Sequence, residues 1–183
     1  QELLQQLSAT EPLTVAWAVR VSGNRLARGA GEATDELVQQ LTRLVSHPAA
    51  PVGLQVAIAA GKIASGTQRS TTTEILLKVL NHSEDDGLLP RIVWQNLQPH
   101  VVEDQAYLVK SLAQSRSGLL PELAPRIATR LLAEVKSDLS GASDHDTLRS
   151  VLNIADSLAA DRPAASNQVY SAVLARLRTG EIR

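Results

Sequence analysis

The chain has 183 residues, 44% of them hydrophobic and 20% charged, and its 18 basic and 19 acidic side chains give a formal charge of −1. Such a chain can bury a core, and its balanced charge argues against nucleic-acid binding, which needs a basic surface to neutralise phosphates. It has no cysteine for disulfides, thiolate catalysis or cysteine-ligated metals, and no run approaches the ~18 apolar residues of a membrane span.

The first elements are predicted to be helical. Residues 1–8 resemble the end of a helix, and no secretory signal is visible in the opening residues, which lack a basic start and an apolar segment. Because the chain starts without methionine inside this helix, we expect it to be part of a larger protein. Thr10 is the predicted N-cap of a helix that has Pro12 near its first turn and continues to about Leu26, followed by a glycine-containing loop at residues 29–31.

Residues 37–63 are the most informative segment, since they predict two helices separated by a proline turn. The first helix begins at Thr34 or Asp35 and ends at His47, where Pro48 prevents its continuation. Pro51 begins the second helix, which continues to about Gly66. Helical spacing creates one apolar stripe on each helix, formed by Leu37, Leu41, Leu44 and Val45 and by Val52, Val56, Ala59, Ala60 and Ile63.

The same arrangement recurs about 35 residues later, a period typical of stacked helical repeats. Thr71 and Glu74 have capping-box spacing at the start of a helix to Asn81, and a turn then leads to a helix from Leu88 to Gln98. We expect Leu76 and Leu80 to be mostly buried, together with Ile58 of the preceding helix.

Four more helices are predicted in the remainder of the chain. They cover residues 103–115, 121–135, 143–160 and 166–178, with Ser143 and Asp146 as a capping pair and Ser166 as the last N-cap. The whole chain then has about ten helices and no strand, which predicts an all-α fold. Pairing them gives an α-solenoid of about five antiparallel helix pairs, with a closed helical bundle as the alternative.

The segment HPAAPVGLQVAIAAGKIA resembles the second half of a HEAT repeat, in which a turn and a proline precede a small-residue helix. Gly53 stands where that motif has an arginine, so the usual inter-repeat ladder is not expected. Together with AWAVRVSG and DDGLLPRIVWQNLQPHV, the segment resembles HEAT-like stretches of large bacterial proteins. Those proteins join a dehydrogenase-like β-propeller to a cytochrome c-type haem module. The resemblance implies a single HEAT-like or ARM-like domain over residues 1–183, in the periplasm or cell envelope, whose redox chemistry belongs to neighbouring modules.

Candidate metal-binding residues have simpler structural interpretations. His47 and His82 lie one repeat apart, each at a helix C-terminus, where an imidazole can bond free main-chain carbonyls. Adjacent residues on a helix point about 100° apart, so Asp144, His145 and Asp146 are interpreted as helix-capping residues. The acidic residues 84–86 lack the ligand pattern of a calcium loop and are interpreted as a solvated turn. No haem-attachment motif is present, and we expect no metal and no cofactor.

The aromatic and basic residues are the candidates for an interface. Trp17 and Trp94 are interpreted as core residues that fill gaps among small side chains, with a role as interface anchors as the alternative. The densest basic cluster is interrupted by acidic residues and comprises Arg116, Arg126 and Arg130. We retain Trp17 and this cluster as a possible interface.

No sequence motif for a nucleophile, a phosphate loop or a metalloprotease is present, so the chain is not expected to be an enzyme. The predicted function is that of a scaffold, binding a protein partner or neighbouring domains of its own chain, without nucleic acid or membrane insertion. The alternative is a structural spacer within a multidomain redox enzyme of the kind that the resemblance implies.

Overall fold

The protein was analysed as a computed structural model, which describes residues 2–28, 34–63, 69–83, 86–115, 118–136, 139 and 141–182. Throughout these ranges the regular structure is helical, with no strand, so the predicted all-α class is confirmed. The chain divides into two compact units, Gln1–Leu97 and Gln98–Arg183, called here the N-terminal and C-terminal units. None of the described helices has both the length and the apolar character needed to cross a membrane.

Six α-helices lie in the described part of the N-terminal unit and four in that of the C-terminal unit. The first six are α1 (Glu2–Leu7), α2 (Pro12–Ala27), α3 (Thr34–Arg43), α4 (Ala50–Ile63), α5 (Arg69–His82) and α6 (Leu89–Leu97). The last four are α7 (Gln105–Gln114), α8 (Ala124–Leu132), α9 (Ala142–Leu158) and α10 (Pro163–Arg178). Short 3-10 segments at Leu44–Ser46, Gln98–His100 and Leu120–Leu123 replace the ends of three predicted helices.

In the N-terminal unit, helices that are two apart along the chain pack against each other. Helix α2 contacts α4, and α4 contacts α6, while α1 contacts α3 and α5 contacts the 3-10 turn that follows α3. Helices α2 and α4 approach closely because small residues face each other. A Cβ added at Gly23 would lie 2.9 Å from the Cα of Ala59, so only glycine fits there without movement.

Most residues of the two predicted apolar stripes lie in the core of this unit, whereas Leu44 is only half-buried. All five residues of the stripe on α4 are buried, and Leu76 and Leu80 on α5 have no exposed surface. Ile58 is also mostly buried, as predicted, but it is less enclosed than the residues of the stripe. Ile58 lies two residues from both Val56 and Ala60, a rotation of about 200° around the helix, and it therefore points away from the stripe.

The first turn of α5 differs from the predicted capping box. Helix α5 already begins at Arg69, so Thr71 lies inside it and cannot be its N-cap. Thr72 is buried, and its hydroxyl donates to the carbonyl of Ala60 on α4 at 3.3 Å. The hydroxyl therefore has the hydrogen-bond partner that a buried polar group requires, and the bond links α5 to α4.

In the C-terminal unit, α7 packs against α9, α8 packs against α10, and α9 contacts both α8 and α10. Ser166 is not the N-cap of α10, because that helix already begins at Pro163. Its buried hydroxyl donates instead to the carbonyl of Ala155 on α9 at 2.8 Å. The core is aliphatic, and its fully buried members include Leu108, Leu112, Ile127, Leu131, Val151, Ile154 and Val169.

Arg176 connects the ends of α8 and α10. Its guanidinium donates to the main-chain carbonyls of Leu132 and Val135 after the end of α8, and the Leu132 carbonyl also accepts from the N–H of Val135. Gly180 has a φ of 72°, and this left-handed residue reverses the chain after α10. The reversal brings the N–H of Glu181 to the carbonyl of Arg176 at 2.9 Å and buries Ile182.

Candidate binding groove

Helices α1 and α2 line an open groove of about 570 Å³ in the N-terminal unit, called here the α1/α2 groove. Its lining residues are Glu2, Leu3, Gln6, Glu11, Leu13, Thr14, Trp17, Val21 and Arg25. Leu13 is 67% exposed and Trp17 is 60% exposed. The core interpretation of Trp17 was therefore wrong, and the residue lies in a concave, solvent-accessible surface.

The exposure of Trp17 follows from the pattern of α2. Leu13, Trp17 and Val21 recur every four residues along one face of the helix, whereas Val15 and Val19 lie on another face and are buried. Helix α2 thus has two apolar faces, and only one of them packs in the core. Exposed apolar surface beside polar residues is typical of an interaction site.

Glu11 lies at the start of α2, at one end of the groove, and caps that helix. Its carboxylate accepts hydrogen bonds from the backbone N–H groups of Leu13, at 2.9 Å, and Thr14. Glu11 is thus the N-cap of α2, and the prediction of Thr10 was wrong by one residue. The hydrogen bond from the Leu13 backbone, followed by those from Thr14, lowers the pKa of the Glu11 carboxyl below its usual value.

Replacing Glu11 by glutamine is expected to lower the melting temperature in a pH-dependent way. Since the folded-state pKa is lowered, the carboxylate stabilises the fold above its unfolded pKa, and that contribution disappears as the pH falls through the folded value. The difference between Glu11→Gln and the parent should therefore be largest near neutral pH and shrink below about pH 4. Thermal melts across this range measure it, with Glu11→Asp as the charge-retaining control. A difference in melting temperature that stays constant with pH would contradict the assignment of Glu11 as a charged N-cap of α2.

The two described basic candidates lie on α8 of the C-terminal unit, one helical turn apart. Arg126 is exposed on α8, and Arg130, also on α8, pairs with Glu134. Arg116 lies outside the described residues. An exposed ion pair one helical turn apart adds little stability, so Arg130 and Glu134 contribute mainly a locally neutral surface.

His47 and His82 line one pocket of about 270 Å³, together with Asp86 and the turn before α4. The Nδ1 of His47 accepts from the N–H of Ala49 at 3.1 Å, so its proton is on Nε2. The Nδ1 of His82 donates to the carbonyl of Lys78 at 2.8 Å, which leaves its Nε2 as an acceptor. The ring of His82 bonds a carbonyl at its helix end, as predicted, whereas that of His47 accepts from an N–H instead. The place of both rings in a common pocket was not foreseen.

We expect no stoichiometric zinc binding at micromolar concentration. Ligation through Nε2 of His47 would need its proton to move to Nδ1, which would break the hydrogen bond from Ala49. Asp86 already accepts from the N–H groups of Leu88 and Leu89. No set of three potential ligands was found among the described residues. Isothermal titration calorimetry with zinc tests this expectation, and tight binding that disappears in His82→Ala would contradict it.

The acidic cluster at the start of α9 is structural. Asp144 is buried, and its two carboxylate oxygens accept from the N–H groups of Gly141, at 3.1 Å, and Lys136, at 3.3 Å. Asp146 pairs instead with Arg149 at 3.2 Å, and His145 is exposed. The three residues therefore diverge, as predicted, but the capping carboxylate is Asp144 rather than Asp146. Of the predicted acidic turn, Glu84 and Asp85 lie outside the described residues.

The other aromatic residues are also partly accessible. Trp94 is half-buried rather than fully in the core, and Tyr107 is 41% exposed. On α10, the hydroxyl of Tyr170 donates to the carboxylate of Asp156, and this hydrogen bond raises the pKa of the phenol. One and two turns further on, Leu174 and Leu177 are 49% and 47% exposed. Tyr170, Leu174 and Leu177 are called here the α10 stripe.

Comparisons with protein-family models, curated proteins and solved structures found no match for this chain. The candidate groove therefore depends on the geometry of its own residues. The sequence contained one signal for it, the four-residue spacing of Leu13, Trp17 and Val21. That spacing alone does not distinguish a face packed in the core from a face exposed to solvent.

Proposed function

We propose that the chain is a helical-repeat scaffold of the HEAT-like type, which acts by binding a protein partner or a neighbouring domain. The order of helix contacts supports a repeat arrangement. In the N-terminal unit α2, α4 and α6 pack in succession, and in the C-terminal unit α7 packs on α9 and α8 on α10. Helix pairs stacked in this way give extended surfaces for binding.

The observation that carries the proposal is the α1/α2 groove, with Leu13 and Trp17 exposed in it. Tryptophan is enriched among the residues that dominate binding energy, because a large apolar ring can be desolvated at little cost in side-chain entropy. The groove is concave and mixes apolar with charged residues, as binding surfaces for protein segments do. The spacer role in a redox enzyme stays a prediction from the resemblance alone.

Site-specific photo-crosslinking tests the scaffold proposal. A photoreactive phenylalanine derivative is placed at Leu13 in the groove, and the variant chain is irradiated in the cells that normally produce it. We expect discrete cross-linked protein products at Leu13 and none at Leu88, which is 49% exposed but lies outside the groove. The absence of discrete products at Leu13, or equal products at both positions, would contradict the proposal.

A further inference from the structure

Two exposed apolar surfaces of this chain have matching patterns of charge. Along α2 the groove has an acid, three apolar residues and a base, in the order Glu11, Leu13, Trp17, Val21 and Arg25. Read backwards, α10 has a base and then the α10 stripe, and the acid that is hydrogen-bonded to the phenol lies beside it on α9. The order there is Arg178, Leu177, Leu174, Tyr170 and Asp156. The two orders are complementary when the helices run antiparallel.

We propose that the α1/α2 groove receives the α10 stripe of a second copy of this chain, with the two helices antiparallel. The proposal rests on the scaffold function above and names the partner of its groove. Leu177 then lies opposite Leu13, Leu174 opposite Trp17, and Tyr170 opposite Val21. Arg178 approaches Glu11 at one end, and Asp156 approaches Arg25 at the other.

The lengths of the two surfaces agree with this register. Leu13 and Val21 are separated by about 12 Å along their helix, and Tyr170 and Leu177 by about 10 Å, from the rise of 1.5 Å per residue. Glu11 remains a charged partner even though its oxygens cap α2, because the same hydrogen bonds lower the pKa of its carboxyl. Arg178 is exposed at the end of α10, where it is available to that carboxylate.

The contact is heterologous, since a groove on one copy binds a stripe on the other. Each docked copy keeps one of these surfaces free, so assembly continues beyond a dimer unless the geometry closes a ring. One helix seated in one groove buries less than the roughly 1,200 Å² of a standard interface, which corresponds to weak, concentration-dependent association.

Sedimentation velocity over a concentration series, up to about 0.3 mM, tests the proposal in the range where weak contacts are populated. The parent chain should form dimers and larger species, whereas Trp17→Glu and Leu174→Glu should each sediment as monomers of 19.6 kDa. Each variant keeps the surface that the other has lost. An equimolar mixture of the two should therefore form a 1:1 dimer that does not grow further.

Leu88→Glu is the matched control, because Leu88 is as exposed as Leu174 and lies on neither surface; its self-association should equal that of the parent. If either glutamate variant loses its helical circular dichroism, Trp17→Ala or Leu174→Ala replaces it, with an expected loss of affinity of about tenfold or more. Any of three results would overturn self-docking: the parent chain is monomeric, either glutamate variant still assembles, or the mixture of the two variants does not pair. If the parent is monomeric but Leu13 still cross-links to another protein, the scaffold function stands without self-docking. If the parent is monomeric and Leu13 gives no cross-links, both the self-docking proposal and the scaffold function are rejected.

Discussion

Replacing Leu80 by alanine is expected to lower the free energy of unfolding by about 2–5 kcal/mol, which is typical of large-to-small changes in a core. Leu80 on α5 is fully buried in the N-terminal unit, so the substitution removes apolar contacts and leaves a cavity. Urea unfolding followed by circular dichroism measures the change.

Leu88→Ala is the control for this prediction. Leu88 is about half exposed, so its truncation should change stability by no more than about 0.5 kcal/mol. If Leu80→Ala had an effect as small as that of the control, the assignment of this face of α5 to the core would be wrong.

Replacing Gly23 by alanine is expected to destabilise the protein, although alanine is the better helix former. The added Cβ would lie 2.9 Å from both Cα and Cβ of Ala59, and a backbone atom cannot rotate away as a side-chain tip can. Overpacking of this kind typically costs about 1–3 kcal/mol. Urea unfolding of Gly23→Ala measures the loss of stability. The loss is expected because α2 and α4 must separate slightly to accept the added Cβ.

Gly53→Ala is the matched comparison, since Gly53 is also a buried glycine within a helix. Its added Cβ would lie 3.8 Å from the nearest atom, Cγ1 of Val79, which is an ordinary contact. Since the added Cβ has room here, the higher helix propensity of alanine should stabilise the protein by about 0.5–1 kcal/mol relative to glycine. The two alanine substitutions should therefore have opposite signs, and equal signs would contradict the proposed close approach of α2 and α4.

The existence and type of the helices could be predicted from the sequence because apolar spacing and prolines determine them locally. Helix α2 was expected after an N-cap at Thr10 and through about Leu26, and it extends from Pro12 to Ala27. The helix that was expected to end at His47 stops as an α-helix at Arg43 and continues as a 3-10 turn. Such tightening depends on tertiary packing at the helix end, which the local sequence does not encode.

The capping residues were predicted less well, because several polar residues near a helix start compete for the same role. Ser166 has the chemistry of an N-cap, yet its hydroxyl bonds a carbonyl on another helix. Asp144 and Asp146 are both suited to capping α9, and only the buried one reaches the backbone of Gly141. Which polar residue caps a helix is decided by distances of a few ångströms that spacing along the chain does not determine.

The candidate groove could be predicted only in part. Trp17 was recognised as an interface candidate, but it was assigned to the core, as large apolar residues usually are. The assignment failed because α2 has apolar residues on two faces, and Val15 and Val19 occupy the buried one. His47 and His82 were expected to cap separate helices, and their common pocket depends on packing between α4 and α5.

The exposure of Trp17 makes the groove visible to optical spectroscopy. The chain has only two tryptophans, and Trp94 is half-buried whereas Trp17 is largely in contact with water. Indole emission shifts to shorter wavelength when water is removed from the ring, so covering the groove should shift the fluorescence of Trp17 to the blue. In a Trp94→Phe background, the emission maximum would therefore report occupancy of the groove directly, without any attached dye.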